Sequence, residues 1–243
     1  MQKESRYWYS PNLSKEMDIM IYGHYGFTIL LFPTITDSAL ENENNGLIEA
    51  ISPYIEKGKC KVFCVSGVNF ESWLNEELPP AEKSIRHLQY NKFITEEVVP
   101  FIFGDCGCAV PIITAGAAIG AYHAANTFFR RPDIFFGVIA MSGTYNIEHY
   151  TKGYFDDNCY FNSPIHYIPN LTDYYWLSFL MSKHHIYLVS GSGDGEHSNN
   201  TLHLGGILKS KEIPHQVNIW GPEWGHNFKT WNTMLPHFLV SKF

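Results

Sequence analysis

Seven short runs of this chain are apolar at nearly every position, and segments of helical length separate most of them, an alternation that restricts the fold more than any other feature. The runs are Met17 to Tyr22, Phe27 to Phe32, Lys61 to Val65, Val110 to Thr114, Gly137 to Met141, Ile186 to Ser190 and Val217 to Trp220. A strand without polar alternation is buried on both faces, as in a parallel sheet covered by helices. Helices are expected over Asn42 to Lys57, Ala81 to Phe101, Ile119 to Arg130, Tyr174 to Lys183, Asn199 to Lys211 and Thr230 to Lys242, with Pro100, Pro132 and Pro214 as stops. The first two runs are close enough to pair as a hairpin across Gly23 to Gly26. The expected class is α/β, a mainly parallel sheet with helices on both faces and an antiparallel N-terminal start.

No repeat or Pro/Gly/Ser linker divides the 243 residues, so one domain is expected over 1–243. With 16% aromatic residues the chain can offset the entropy of ordering itself. A net charge of −7, without a basic run, disfavours nucleic acid. The N-terminus does not read as an export signal, and no apolar stretch is long enough to cross a membrane. Five cysteines, an odd number without paired CxxC motifs, suggest neither a disulfide framework nor a zinc site and fit a reducing cytoplasm. The twelve histidines lack metal-ligand spacing: His184 and His185 are adjacent on a strand and point to opposite faces, and no HExxH occurs. Neither a metal nor a cofactor is expected, and the oligomeric state is not legible.

In a parallel sheet, chemistry gathers at the carboxyl ends of the strands. After Val110 to Thr114 the chain reads Ala115-Gly116-Ala117-Ala118-Ile119-Gly120, the strand-to-helix context of a G-x-S-x-G nucleophile elbow, with Ala118 where the serine would stand. An alanine methyl cannot attack a carbonyl in any protonation state. Asp194 follows a later strand and His226 the last one, so nucleophile position, acid and base occur in the order of an α/β-hydrolase. Separately, Asp194 reads as a turn or helix-cap residue and His226 as a hydrogen-bonded structural histidine; their order on a matching strand pattern favours the triad. If Asp194 is out of reach, Asn227 and Glu196 are next to consider. Trp224 and Tyr122 are candidate binding residues, and the aromatic segment 145–176 is a candidate cap over the site.

The sequence resembles serine esterases of the α/β-hydrolase fold, the group that includes esterase-D-like and other bacterial esterase-family proteins. Nearly the whole chain is covered, through Phe32-Pro33-Thr34, Phe70-Glu71-Ser72-Trp73, Gly120 to Asn126, Arg131-Pro132-Asp133-Ile134-Phe135, Met141-Ser142-Gly143, Trp224-Gly225-His226 and Met234-Leu235-Pro236. The resemblance implies that Asp194 is the triad acid and His226 the base. It also implies that the backbone N–H of Ile119 and one from Thr34 or Ile35 form the oxyanion hole. The chain departs from the family pattern at Ala118, at Asn227 where an Asp is common, and in the loop Thr34-Ile35-Thr36-Asp37 where a Gly-containing loop is usual.

Two readings of Ala118 stand open at this level. One is a silent pseudo-esterase whose pocket binds an ester, acyl or glycan ligand; the other is an active Ser-His-Asp esterase whose nucleophile was replaced by design. A small ester or acyl molecule is the expected partner in both.

Overall fold

The computed structural model describes residues 1–242. Its eight strands are β1 (Lys3–Ser10), β2 (Lys15–Tyr22), β3 (Phe27–Leu31), β4 (Cys60–Val65), β5 (Ile112–Ala117), β6 (Gly137–Met141), β7 (His185–Ser190) and β8 (Gln216–Ile219). They form one sheet in the order β1-β2-β4-β3-β5-β6-β7-β8. The β1–β2 and β2–β4 pairs are antiparallel and all other pairs parallel. Helices α1 (Glu41–Asn44) and α2 (Leu47–Glu56) follow β3. A continuous helical run follows β4, composed of α3 (Pro80–Lys92), a π-helical stretch (Phe93–Val98) and α4 (Val99–Cys106). Helix α5 (Ile119–Arg130) follows β5; α6 (Glu148–Thr151), α7 (Asp157–Tyr160), α8 (Pro164–Tyr167) and α9 (Tyr174–Met181) join β6 to β7; α10 (Ser198–Ser210) and α11 (Phe228–Lys242) complete the chain.

The central strands divide their side chains between two cores. Ile29, Leu31, Ile113, Ala115, Ile139, Met141, Tyr187 and Val189 point to one face, where Ile51 and Ile55 of α2 and Trp231, Leu235 and Phe238 of α11 cover them. Their neighbours Leu30, Ile112, Val138, Ala140, Ile186 and Leu188 point to the other, against Tyr90, Phe93, Ile102, Ala124, Phe128 and Leu204. The two-residue period of a strand therefore meets apolar packing on both sides, which is why these runs lack polar alternation.

One expectation is corrected. The antiparallel start is real, but β2 and β3 do not pair as a hairpin; β4 lies between them, antiparallel to β2 and parallel to β3. The hairpin is β1–β2, and β1 escapes an apolar-run search because it is an edge strand whose residues are mostly exposed. Its anchor is the carboxylate of Glu97, which accepts Trp8 Nε1 at 2.8 Å, Ser10 Oγ at 2.8 Å and Asn12 Nδ2 at 2.8 Å.

Gly26 is what lets β3 enter beside β4. Its φ is +105°, and a Cβ there would lie 2.2 Å from the Lys59 carbonyl oxygen. Gly26→Ala is expected to destabilise the protein by about 3 kcal/mol, lowering Tm by roughly 6–12 °C. A melting curve within about 2 °C of the parent would show that the turn relaxes freely.

Candidate active site

Strand β5 passes into α5 through Ala118, held at φ 53° and ψ −121°. This is a costly conformation for a residue with a Cβ, about 1–3 kcal/mol, and it persists because the surroundings over-determine it. Ala118 N–H donates to the Met141 carbonyl at 3.0 Å, tying the elbow to the end of β6. A Cβ on Gly116 would meet the Gly120 backbone at 2.4 Å, and one on Gly120 would lie 2.5 Å from the Pro33 carbonyl oxygen. The two glycines thus allow strand, helix and the loop after β3 to meet at one point. The N–H of Ile119 opens α5, where no acceptor exists within the helix and the dipole favours developing negative charge.

His226 lies in the loop after β8. Its backbone N–H donates to the Asp194 carbonyl at 2.8 Å, and Gly193 N–H donates to the Trp224 carbonyl at 3.0 Å, so the loops after β7 and β8 are laced together through their main chains. A Cβ on Gly191 would lie 1.9 Å from the Trp224 oxygen, and one on Gly225 2.9 Å from the Asp194 oxygen.

The acid beside the imidazole differs from the one expected. Asp194 sits in a turn with an exposed side chain and contributes its carbonyl; its carboxylate forms no ion pair with His226. Instead Glu196 Oε2 lies 3.5 Å from His226 Nδ1, on a side chain only 1% exposed. The reason is local: the Gly193–Gly195 turn, closed by Glu196 N–H on the Gly193 carbonyl and using φ +72° at Gly195, leaves the shorter acid in solvent while the longer one two residues on turns inward. Glu196 also accepts Ser142 Oγ at 2.6 Å and Ser190 Oγ at 2.9 Å. Ser142 in turn accepts Trp231 Nε1 at 3.0 Å, and the Trp231 ring stands edge-on to the His226 ring. Burial pushes the Glu196 carboxyl up, but the facing His226 imidazole and the hydrogen bonds from Ser142 and Ser190 outweigh it and hold the group below the usual range. Ser142, which follows the Met141 carbonyl that holds Ala118, thereby connects elbow and acid.

The expected oxyanion loop is also differently committed. Glu41, 4% exposed, accepts the backbone N–H of Thr34 at 3.0 Å, of Ile35 at 3.1 Å and of Thr36 at 3.1 Å, together with the Thr34 hydroxyl. Pro33 has no N–H to offer. Asp37, next in the loop, accepts Asn69 N–H at 2.6 Å and Phe70 N–H at 3.0 Å. Of Ile119, Thr34 and Ile35, only Ile119 retains an amide not drawn to a carboxylate. No motif marks Glu41 as the acceptor; its buried place follows from the course of the chain.

Tyr122 is a core residue and not a lining group. It is 1% exposed; its hydroxyl donates to the Asn162 carbonyl at 2.8 Å, accepts Trp73 Nε1 at 3.1 Å and meets His87 Nε2 at 3.1 Å. Burial holds His87 well below its ordinary range and His123 at about 3, so both rings are neutral within the core. Trp224 is partly exposed and packs edge-on against Trp220. Among the described residues no group of three His, Cys, Asp or Glu could hold a metal ion, and no helix is long and apolar enough to cross a membrane.

No protein-family model matches the chain, and no curated protein matches it. Solved structures do. A ferulic acid esterase is similar with a TM-score of 0.72 and 16% identity, over 98% of this chain and 96% of its own. An S-formylglutathione hydrolase from Agrobacterium tumefaciens is similar with a TM-score of 0.73 and 13% identity, over 98% and 93%. The S-formylglutathione hydrolase FrmB of Staphylococcus aureus is similar with a TM-score of 0.68 and 15% identity, over 98% and 97%. At such identities the likeness speaks for the fold, and with the strand order and the elbow it establishes that this chain has the α/β-hydrolase fold.

Proposed function

We propose that this is an esterase-family protein with a silent site, one that binds a small ester- or acyl-bearing molecule without turning it over by a serine mechanism. Ala118 carries the reading: a strained nucleophile elbow holds a side chain with no lone pair and no proton to lose. Loss of the nucleophile from a working serine hydrolase removes on the order of 10⁶ in kcat. His226 is assigned the place of the base and Glu196, in preference to Asp194, that of the acid, because its buried carboxylate faces Nδ1. Ile119 N–H would polarise a bound carbonyl. Trp224 is assigned to ligand contact, and of the segment 145–176 the first part, whose Ile147 and Tyr150 pack in one cluster with Ile119, to cover. The names of the similar structures, a ferulic acid esterase and two S-formylglutathione hydrolases, support an ester or acyl ligand. All five cysteines are free thiols, which suits a cytoplasmic setting.

The purified protein should hydrolyse 4-nitrophenyl acetate no faster than buffer. Ala118→Ser should also stay poor, at least about 10²-fold below an ordinary turnover of about 10 s⁻¹, because the loop amides that would complete the oxyanion hole are bound to Glu41. Brisk hydrolysis by Ala118→Ser that disappears on adding His226→Ala would replace the silent reading with that of a competent site lacking one atom.

Glu196 generates a second expectation. Its folded-state pKa is depressed, so the stabilisation it contributes is present above an unfolded value of about 4.3 and is lost as pH falls through the lower folded value. Glu196→Gln should lower stability at pH 7 by about 1–3 kcal/mol and flatten the fall in stability between about pH 5 and 3. Denaturant titrations across that range that run parallel for the two proteins would exclude Glu196 as a buried, ionised partner.

A further inference from the structure

At about 1.5 Å per residue, α5 carries the chain some 17 Å from the elbow to Arg130 at its other end. A cavity of about 290 Å³ opens there, lined by Phe129 and Arg130 of α5, by Tyr160 and Tyr167 of α7 and α8, and by Asn170 and Trp176. Its walls are largely aromatic and no carboxylate lines it. Arg130 is the one cation. Its Nη1 donates to the Phe161 carbonyl at 2.9 Å and to Asn162 Oδ1 at 3.0 Å, whereas Nε and Nη2 have no partner among the described residues and no acid pairs with the guanidinium. On the other flank of Arg130 a cavity of about 160 Å³ is lined by Lys92, Thr95, Thr127 and Arg131, again without an acid. Arg131 is neutralised by Asp133 through two bonds of 2.9 and 2.8 Å, and Lys92 has no ion pair among the described residues. The C-terminal dipole of α5 supplies only about half a negative charge, shared with Arg131. In a chain of net charge −7, this is a local excess of positive charge.

We infer that this cavity is a second ligand site, separate from the elbow, for a planar aromatic carboxylate. With Nη1 engaged by the protein, the free edge of Arg130 is the Nε–Nη2 pair, whose two parallel N–H groups match the two oxygens of a carboxylate. Tyr160 and Trp176 provide rings against which a flat ligand packs better than a puckered one. The volume lies at the low end of small-ligand sites, about 300–1,000 Å³, which limits the ligand to one ring and a short tail. The site depends on nothing at Ala118.

Isothermal titration of the full chain with trans-cinnamate tests this, with cyclohexanecarboxylate, cinnamamide and inorganic phosphate as comparison probes. Cinnamate should bind one to one, at least about tenfold more tightly than each of the other three. Arg130→Lys keeps the charge but removes the fork and should weaken cinnamate at least about tenfold. Trp176→Leu, on a partly exposed side chain, should weaken it too and serves if Arg130→Lys does not fold. Cinnamate heat that vanishes in His226→Ala would place the ligand at the elbow and overturn the inference. So would binding unchanged in both Arg130→Lys and Trp176→Leu, no binding at millimolar concentration, or phosphate binding as tightly as cinnamate, which would mark an anion site indifferent to the ring.

Discussion

The site hangs on one close approach, the backbone of Gly120 against the carbonyls of Phe32 and Pro33. No Cβ fits there: one built on Gly120 would lie 2.5 Å from the Pro33 oxygen and 3.1 Å from that of Phe32. Because that gap is closed, the first turn of α5 is pinned to the loop after β3. With Gly116 packed against Gly120 from the strand side, Ala118 is left at φ 53°, between two elements that cannot separate. The strain is a property of the scaffold and survives whether or not residue 118 carries an oxygen.

Two buried carboxylates organise what surrounds the elbow, and they act in opposite senses. Glu196 gathers hydroxyls from Ser142 and Ser190 and faces His226, keeping an imidazole and its acid together in a protein whose elbow offers no nucleophile. Glu41 gathers the amides of Thr34, Ile35 and Thr36, which engages three backbone donors and withdraws them from any carbonyl bound near Ala118. A side chain that cannot attack and loop donors that already have an acceptor point to the same outcome from unrelated residues.

The central strands of the sheet were legible because burial on both faces leaves an unbroken apolar run, and the elbow because its glycines are closely spaced in sequence. The position of His226 could be read from its place after the last strand. The identity of the acid could not, since Asp194 and Glu196 are two residues apart and only the turn at Gly195 decides which faces inward. Tyr122 misled for a related reason: an aromatic four residues beyond the elbow sits on α5, but the face it occupies is covered by Trp73, His87 and Asn162.

By itself, then, the sequence determined the local, periodic and covalent facts: which apolar segments are strands, where a strand must turn sharply into a helix, and that the residue at that turn cannot be a nucleophile. The tertiary structure alone decided that β4 comes between β2 and β3, that Glu196 meets His226, that Glu41 takes the loop amides and that Arg130 faces an aromatic cavity without a counter-charge. Each of these joins groups from different segments. Residue type states what a side chain can donate, accept or carry, whereas the partner it finds depends on where the rest of the chain has packed.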